Sequence, residues 1–476
     1  MTAREYDLIV IGAGTSGENV ADYAKKGGMS VVLVEAELVG GDCSYWACMP
    51  SKALLRAGSA LRAARAVGGA SQAVTGGVDP AATFARRSTI VHDWDDASQV
   101  SWVDSTGIDL LRGHARFTGE RAVSVEASDG TTVELRAKHA VTVSTGSVAL
   151  LPDIPGLAEI EPWTSHEATS ATNAPESLAV LGGGVVACEM ATLYAGFGTK
   201  VTMIVRGEAL LGGEEPFAGE AVADALAEAG VTIRTGVEVV AAHRTETNAV
   251  LDLSDGGKVV AEQVLVAVGR IPRTMDLGLE AIGLTGGDWL EVDDTMLVTG
   301  YDWLYGVGDV NHRALFTHQG KYQARAAGDV IAARARGDRI QDAMWGRHVA
   351  SADAVAIPSV VFTDPEVASV GLTAEAAAKT GRSIRVIDYD LSWLGGATVY
   401  ADGYKGQARA IIDEERQVLI GVTFVGPDVS EMLQAATIAV VGEVPLSRLW
   451  HAVPAYPTVS EVWLRFLETY GREESA

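Results

Sequence analysis

Two cysteines, Cys43 and Cys48, are separated by four residues in the run Gly40-Gly41-Asp42-Cys43-Ser44-Tyr45-Trp46-Ala47-Cys48-Met49-Pro50-Ser51-Lys52. Thiols this close in sequence can carry redox chemistry, supply half of a metal site or rest as free buried groups. The one further cysteine, Cys188, lies in a helical stretch and reads as a small packing residue, and no histidine cluster completes a metal shell. Redox chemistry is therefore the leading reading, and no metal is expected. In an ideal helix, residues five apart have Cα atoms about 8–9 Å apart, beyond the ~7 Å that a disulfide spans. If the two sulfurs meet, Cys43 must lie in a bent or unwound segment. Regular helix is expected after Pro50, since proline suits a helix start.

Two glycine loops flank this segment in the sequence. Asp7–Val10 is β-rich and opens into Gly12-x-Gly14-x-x-Gly17 and then a helical stretch. Leu178–Leu181 opens into Gly182-x-Gly184-x-x-Ala187 about 170 residues later, so the plan is repeated. Such a loop gives a tight turn and lets the backbone approach a pyrophosphate at a helix N-terminus, where free N–H groups and the dipole favour the anion. Glu35 ends the β-run after the first loop, about 20 residues beyond Gly12, where a carboxylate can take a ribose 2′-hydroxyl. The equivalent place after the second loop is Val205, and Arg206 follows it. An arginine there can pair with a 2′-phosphate, so NADPH is preferred to NADH.

Positioning these loops requires several domains, and 476 residues allow two to four. Linker signals at Leu151–Gly156 and Arg270–Arg273 bracket the second fingerprint, and the composition changes again near Ile357-Pro358. Beyond it come β-rich runs at Ser359–Thr363, Arg385–Tyr389, Ala408–Ile412 and Val418–Val425, then helical stretches from Ser430 and near Ser460, an α+β pattern. The net charge of −25 repels phosphate backbones and argues against nucleic acid as a partner. No apolar stretch reaches the roughly 18 residues of a membrane span, and Tyr6–Val10 already reads as a buried strand with no signal peptide before it. A cytoplasmic protein without a membrane partner is expected.

The cysteine run with its glycine loops resembles the pyridine nucleotide–disulfide oxidoreductases, the family of dihydrolipoamide dehydrogenase, glutathione reductase and mercuric reductase. Matching motifs run from Gly12 to Glu461. The resemblance implies an α/β enzyme with two Rossmann-like dinucleotide-binding domains, for FAD and NAD(P), and a C-terminal α+β dimerisation domain. The expected divisions are 1–152 with 271–346 for FAD, 153–270 for NAD(P), and 347–476 for a homodimer interface. Electrons would pass from the nicotinamide through FAD to a Cys43–Cys48 disulfide and on to a small-molecule acceptor. Cys43 would be the outer interchange thiol and Cys48 would face the flavin. Lys52 would sit near flavin N5, paired with Glu189, where a cation stabilises negative charge on the reduced ring. FAD would be held by Gly12, Gly14, Gly17, Glu35, Gly41, Lys52, Ala115, Thr145 and Gly146 with Arg270, by Asp309 of Gly306-Val307-Gly308-Asp309, and by Phe316, Thr317 and His318. NAD(P) would be held by Gly182, Gly184, Ala187, Glu189, Arg206 and Gly269.

The pattern breaks in two places. Asp42, Tyr45 and Trp46 replace the small residues common beside the disulfide. Near the C-terminus, disulfide-reducing relatives carry His-Pro-Thr-x-Ser-Glu, supplied by the partner subunit, with the histidine as acid–base and the glutamate orienting it. Here Tyr456 stands in the histidine's place, in Tyr456-Pro457-Thr458-Val459-Ser460-Glu461. Tyrosine, with a reference pKa near 10, is a poor base at neutral pH. His451, five residues upstream, is the other candidate. Mercuric reductase also has tyrosine near this point but adds a C-terminal cysteine pair, which Thr469–Ala476 does not contain. Two acceptor classes follow: a disulfide, as in dihydrolipoamide dehydrogenase, or a metal ion or quinone.

Overall fold

The computed structural model describes residues 3–471, so the end of the Thr469–Ala476 tail lies outside the described residues. They form two compact units. The first comprises the chain to Pro50, Ser88–Leu150 and Gly269–Ala354; the second comprises Ser51–Arg87, Leu151–Val268 and the chain from Val355.

The first unit is built on β1 (Arg4–Ile11), α1 (Thr15–Lys26) and β2 (Val31–Glu35). In β1, Leu8 and Val10 enter one buried cluster while Ile9 and Ile11 enter another, so both faces of the strand are covered. That is why its apolar run is continuous rather than alternating. The parallel part of the sheet runs Asp109–Arg112, β2, β1, Thr132–Val143, Leu304–Gly306. Antiparallel strands Ala122–Glu126 and His114–Gly119 extend from Thr132–Val143. Helix Thr317–Arg336 packs along α1: Gly328 lies against the Val20 carbonyl and Tyr23, and Ala324 and Ala327 are fully buried. Small residues on this face let the two backbones approach closely.

The second unit repeats the plan with strand Ser177–Leu181, helix Val185–Gly196 and strand Lys200–Val205, inside a four-stranded parallel sheet completed by Thr232–Thr235 and Gln263–Val266. After Val355 it carries a five-stranded antiparallel sheet ordered Pro358–Val361, Glu366–Gly371, Val418–Gly426, Gln407–Asp413, Ile384–Asp390. Helices Leu433–Val441 and Val462–Tyr470 follow. The sequence reading has four of these strands but not Glu366–Gly371. That strand begins directly after Asp364-Pro365, a turn signal, and carries Glu366 and Ser369 among its apolar residues.

The two loops share one steric requirement. Gly12 has φ +96° and Gly182 has φ +122°; a Cβ would run into the Ser144 carbonyl at the first and the Ala267 carbonyl at the second. In both, the chain turns hard against a neighbouring backbone, and only glycine fits. Among the described residues no helix is long and apolar enough to cross a membrane.

Candidate active site

The cysteine run folds as two helical pieces. Cys43 lies in α2 (Gly41–Tyr45), and α3 (Cys48–Arg65) begins at Cys48. Trp46, with φ −133°, ends α2, so the helix is broken between the two cysteines. The expected helix start after Pro50 needs correction: Pro50 sits inside the first turn of α3. There a backbone N–H has no intrahelical acceptor, so proline removes nothing. The thiols are unbridged and half-buried. The hydrogen bond with Cys48, burial and the Cys48 charge push the Cys43 thiol up; Thr317 and Lys321 act in the opposite direction. Cys48 Sγ is 3.2 Å from Thr317 Oγ1, the first residue of the Thr317–Arg336 helix. Phe316 caps that helix and stacks on His318 with ring centroids 5.2 Å apart.

A polar chain lies beside Cys43. Arg270 donates from Nε to Ser147 Oγ at 2.6 Å and from Nη2 to the Ser147 carbonyl at 2.7 Å. Ser147 Oγ donates to Asp309 at 2.6 Å. Arg270 also reaches Asp42, next to Cys43, at 3.4 Å. Burial raises the Asp309 carboxyl above its usual range, against the Ser147 hydrogen bond and the Arg270 charge. Sequence reasoning missed Ser147 and the Asp42–Arg270 contact. Ser147 directly follows Thr145-Gly146, which was the available signal; a pairing across more than 200 residues gives none.

The first glycine loop has the donors and space of a dinucleotide site. Gly14 of this loop forms a parallel bridge with Gly40, beside Gly41. Glu35 accepts the Ala13 N–H at 2.6 Å and the Glu37 N–H at 2.7 Å, and burial raises its pKa. Gly17 packs onto the Gly12 carbonyl, with no room for a Cβ. Ser144 Oγ, Thr145 Oγ1 and Glu18 Oε1 are buried with no hydrogen-bond partner, as expected of groups awaiting a polar ligand. Gly146 (φ +74°) follows them. Ala115 is buried in strand His114–Gly119 and can offer a ligand only its backbone.

In the second unit Lys52, one turn along α3 from Cys48, meets Glu189 of helix Val185–Gly196 at 2.8 and 3.1 Å. Glu189 also accepts the Phe362 N–H at 3.0 Å, and Lys52 Nζ lies 4.9 Å from the Phe362 ring centre. Phe362 had no signal in the sequence. Gly184 caps the Val185–Gly196 helix, Ala187 and Cys188 are buried within it, and burial raises the Cys188 thiol to about 12. Arg206 is exposed at the end of strand Lys200–Val205, 3.9 Å from Glu238. Gly269 (φ +151°) begins the return to the first unit.

The C-terminal candidates have different surroundings. Tyr456 is 78% exposed, its ring over Gly395. His451 is exposed after the short helix Leu446–Leu449. Glu461 is buried and ion-pairs with Arg465, while its Oε2 has no partner.

The sequence matches two family models. Residues 6–335 match the pyridine nucleotide-disulphide oxidoreductase model, and 357–465 match the dimerisation domain of the same family. A dihydrolipoyl dehydrogenase of Thermus scotoductus is 31% identical, over 96% of this chain and 96% of the relative. A mercuric reductase of Staphylococcus aureus is 30% identical, over 96% of this chain and 81% of the relative. Among solved structures, the Cu(II) complex of the HOCl-induced flavoprotein disulfide reductase RclA from Escherichia coli superposes with a TM-score of 0.84 at 23% identity, covering 99% of this chain and 100% of that one. The chain therefore belongs to the pyridine nucleotide–disulphide oxidoreductase family and is an FAD-dependent, NAD(P)H-linked oxidoreductase.

Proposed function

We propose that this protein is a homodimeric, NADPH-preferring reductase that delivers two electrons to the Cys43–Cys48 pair and from there to a small-molecule acceptor. The observation that carries this is the pairing of the Cys43 and Cys48 thiols by a hydrogen bond across a helix break, with Thr317 hydrogen-bonded to Cys48. FAD, when bound, supplies a ring that can accept a hydride from reduced nicotinamide and return two electrons to a disulfide. The first dinucleotide fold suits it: Gly12 and Gly17 permit the tight turn, Gly14 leaves room for the pyrophosphate, Glu35 and Asp309 present carboxylates for hydroxyls, and Thr145 offers an unpaired hydroxyl. The divisions 1–152 with 271–346, 153–270 and 347–476 are the proposed FAD, NAD(P) and interface domains.

Each residue has a task in this reading. Cys43 meets the acceptor and Cys48 receives the electrons. Thr317 donates its hydroxyl to the Cys48 sulfur whenever that sulfur is a thiolate. Lys52, held by Glu189, places a positive charge one helical turn from Cys48. Arg206 is free to meet a 2′-phosphate.

Disulfide reduction is the first reading of the acceptor, as in the dihydrolipoyl dehydrogenase relative. Transfer to a metal ion or quinone is the second. The observation favouring it is the exposed Tyr456 where a base is expected, with Glu461 turned to Arg465 instead. Turnover with NADPH is to be measured against lipoamide, oxidised glutathione, mycothiol-type disulfides, Hg(II) and a quinone. Turnover with one disulfide, abolished by Cys43→Ser, supports the first reading. Quinone turnover that survives Cys43→Ser would remove the thiols from the route.

A further inference from the structure

Asp353 has no task in the reading above, yet a buried polar network centres on it. It lies in the short turn Ser351–Ala354, and its side chain is 1% exposed. Two backbone donors tie the turn down: the Ala350 N–H meets the Asp294 carbonyl at 2.8 Å and the Ala352 N–H meets the Tyr322 hydroxyl at 3.2 Å. A buried carboxyl is costly unless it is hydrogen-bonded, and three donors converge on this one. Gln319 donates to Oδ1 at 2.8 Å, Gln323 to Oδ2 at 2.8 Å, and Arg313 Nε to Oδ2 at 3.1 Å. Burial raises the Asp353 pKa, and these donors oppose the rise. Gln319 and Gln323 are buried one turn apart on helix Thr317–Arg336. Because both Asp353 oxygens accept, each amide must present its NH2 group to them. Gln323 Oε1 is thereby turned the other way, onto the Gly308 N–H at 2.9 Å and Asn311 Nδ2 at 2.8 Å. Asn311 also donates to the Gly306 carbonyl at 3.0 Å, closing the segment that carries Asp309. Gly308 has φ +84° and ψ −153°, a conformation open essentially to glycine alone, and a Cβ there would strike the Ser16 hydroxyl. Such a backbone persists only where its surroundings determine it, and Gln323 holds its N–H.

We propose that Asp353 and Gln323 are positioning residues for the flavin: Asp353 orients the Gln323 amide, Gln323 holds Gly308, and Gly308 sets where Asp309 presents its carboxylate. The Asp309 side chain is fixed separately, by the Ser147 hydroxyl at 2.6 Å. Ser147 therefore holds the carboxylate and Gln323 holds the backbone just before it. A group ordered in advance costs less to order when a ligand arrives. The same Asp353 carboxylate fixes Gln319, two residues after Thr317, whose hydroxyl lies at Cys48. Asp353 is thus a common anchor for the loop offered to flavin hydroxyls and for the helix start that holds Cys48. Leucine at position 323 would satisfy the burial, but it would leave the Gly308 N–H and the Asn311 amide without their acceptor. The inference rests on the proposed reading of Asp309 as a ligand of FAD hydroxyls.

The test is the affinity for FAD, which needs neither NADPH nor an acceptor. The FAD-loaded protein is serially diluted, and released flavin is read by its fluorescence. Gln323→Leu is expected to weaken binding about tenfold, the effect of one buried hydrogen bond left unmade. Asp309→Asn should weaken it as well. The double variant should bind no more weakly than the worse single variant, because Gln323 reaches the flavin only through Asp309. Losses that multiply in the double variant would overturn the inference while leaving Asp309 at the flavin. Parent-like affinity in Asp309→Asn would overturn the assignment of Asp309 to FAD, and the inference with it. A polarity swap gives a second measurement should Gln323→Leu not fold. Gln323→Glu alone sets two carboxylates against each other and should lose at least as much as Gln323→Leu. Adding Asp353→Asn puts a donor opposite the new carboxylate, which still accepts from Gly308 and Asn311. Affinity should then return to within about threefold of the parent. An equal loss in Gln323→Glu with and without Asp353→Asn would overturn the inference.

Discussion

Cys48 Sγ lies 3.2 Å from Thr317 Oγ1, so the first residue of a twenty-residue helix holds Cys48 through its side chain. A hydroxyl donating to a thiolate is worth about 1.5–3 kcal/mol. Thr317→Val should reduce the iodoacetamide reactivity of Cys48 at neutral pH by at least tenfold, and Thr317→Ser should restore it. Equal reactivity in all three proteins would mean that the hydroxyl gives Cys48 nothing.

The Lys52–Glu189 pair should matter to stability as well as to electron flow. Glu189 is 4% exposed at its side chain and Lys52 is 35% exposed. Lys52→Met strands a buried carboxylate on one backbone N–H, from Phe362. The full cost for a buried pair is about 3–5 kcal/mol; water at Lys52 lowers this to roughly 2–3 kcal/mol. Adding Glu189→Gln should recover at least half of it. A denaturant-unfolding cycle of the four proteins measures the coupling, and additive effects would count against it.

In the proposed reading, nucleotide choice turns on one exposed guanidinium. Arg206 has only a weak contact, 3.9 Å from Glu238, so little holds it from a 2′-phosphate. Arg206→Glu should lower kcat/KM for NADPH by about 10–100-fold, the size of a lost charge-assisted phosphate contact, and leave NADH little changed. An equal loss with both nucleotides would place Arg206 in folding rather than recognition.

Much of this was legible because the chemistry sits on loops with rigid steric rules. Gly12 and Gly182 show their turns in one-letter code, and the spacing of Cys43 and Cys48 shows a helix break once their sulfurs are required to meet. Glu18 was partly legible: it is charged yet lies three residues before Ala21 on the face of α1 that includes Val20, Ala21 and Ala24, all buried. Its burial was not legible in full, because helix Thr317–Arg336, which packs against α1, lies 300 residues away in sequence. Ser147, Phe362 and the Asp42–Arg270 contact were hidden for the same reason. Each acts through a partner chosen by the tertiary fold, not by its neighbours in sequence. Pro50 misled because proline is acceptable anywhere in the first helical turn, so it marks a helix start only to within a few residues.

Glu18 should make stability pH-dependent. Its carboxyl is raised from an ordinary 4.5 to about 7 by burial. Between those values the folded state keeps a proton that the unfolded chain has released. The contribution is complete below pH 4.5 and lost as pH rises through 7, worth about 3 kcal/mol in all. Glu18→Gln should therefore stabilise the FAD-free protein by up to that amount at pH 8 and hardly at all at pH 4.5. Urea unfolding at the two pH values checks it; a gain of the same size at both would mean that burial of the ionised carboxylate is not what Glu18 costs the fold.

The electron route is tested most directly by counting thiols. The oxidised, FAD-loaded protein is mixed anaerobically with one equivalent of NADPH, and the cysteines are alkylated and identified by mass. Cys43 and Cys48 should both become labelled while Cys188 stays as it was. Consumption of NADPH with no new label at Cys43 and Cys48 would contradict the account.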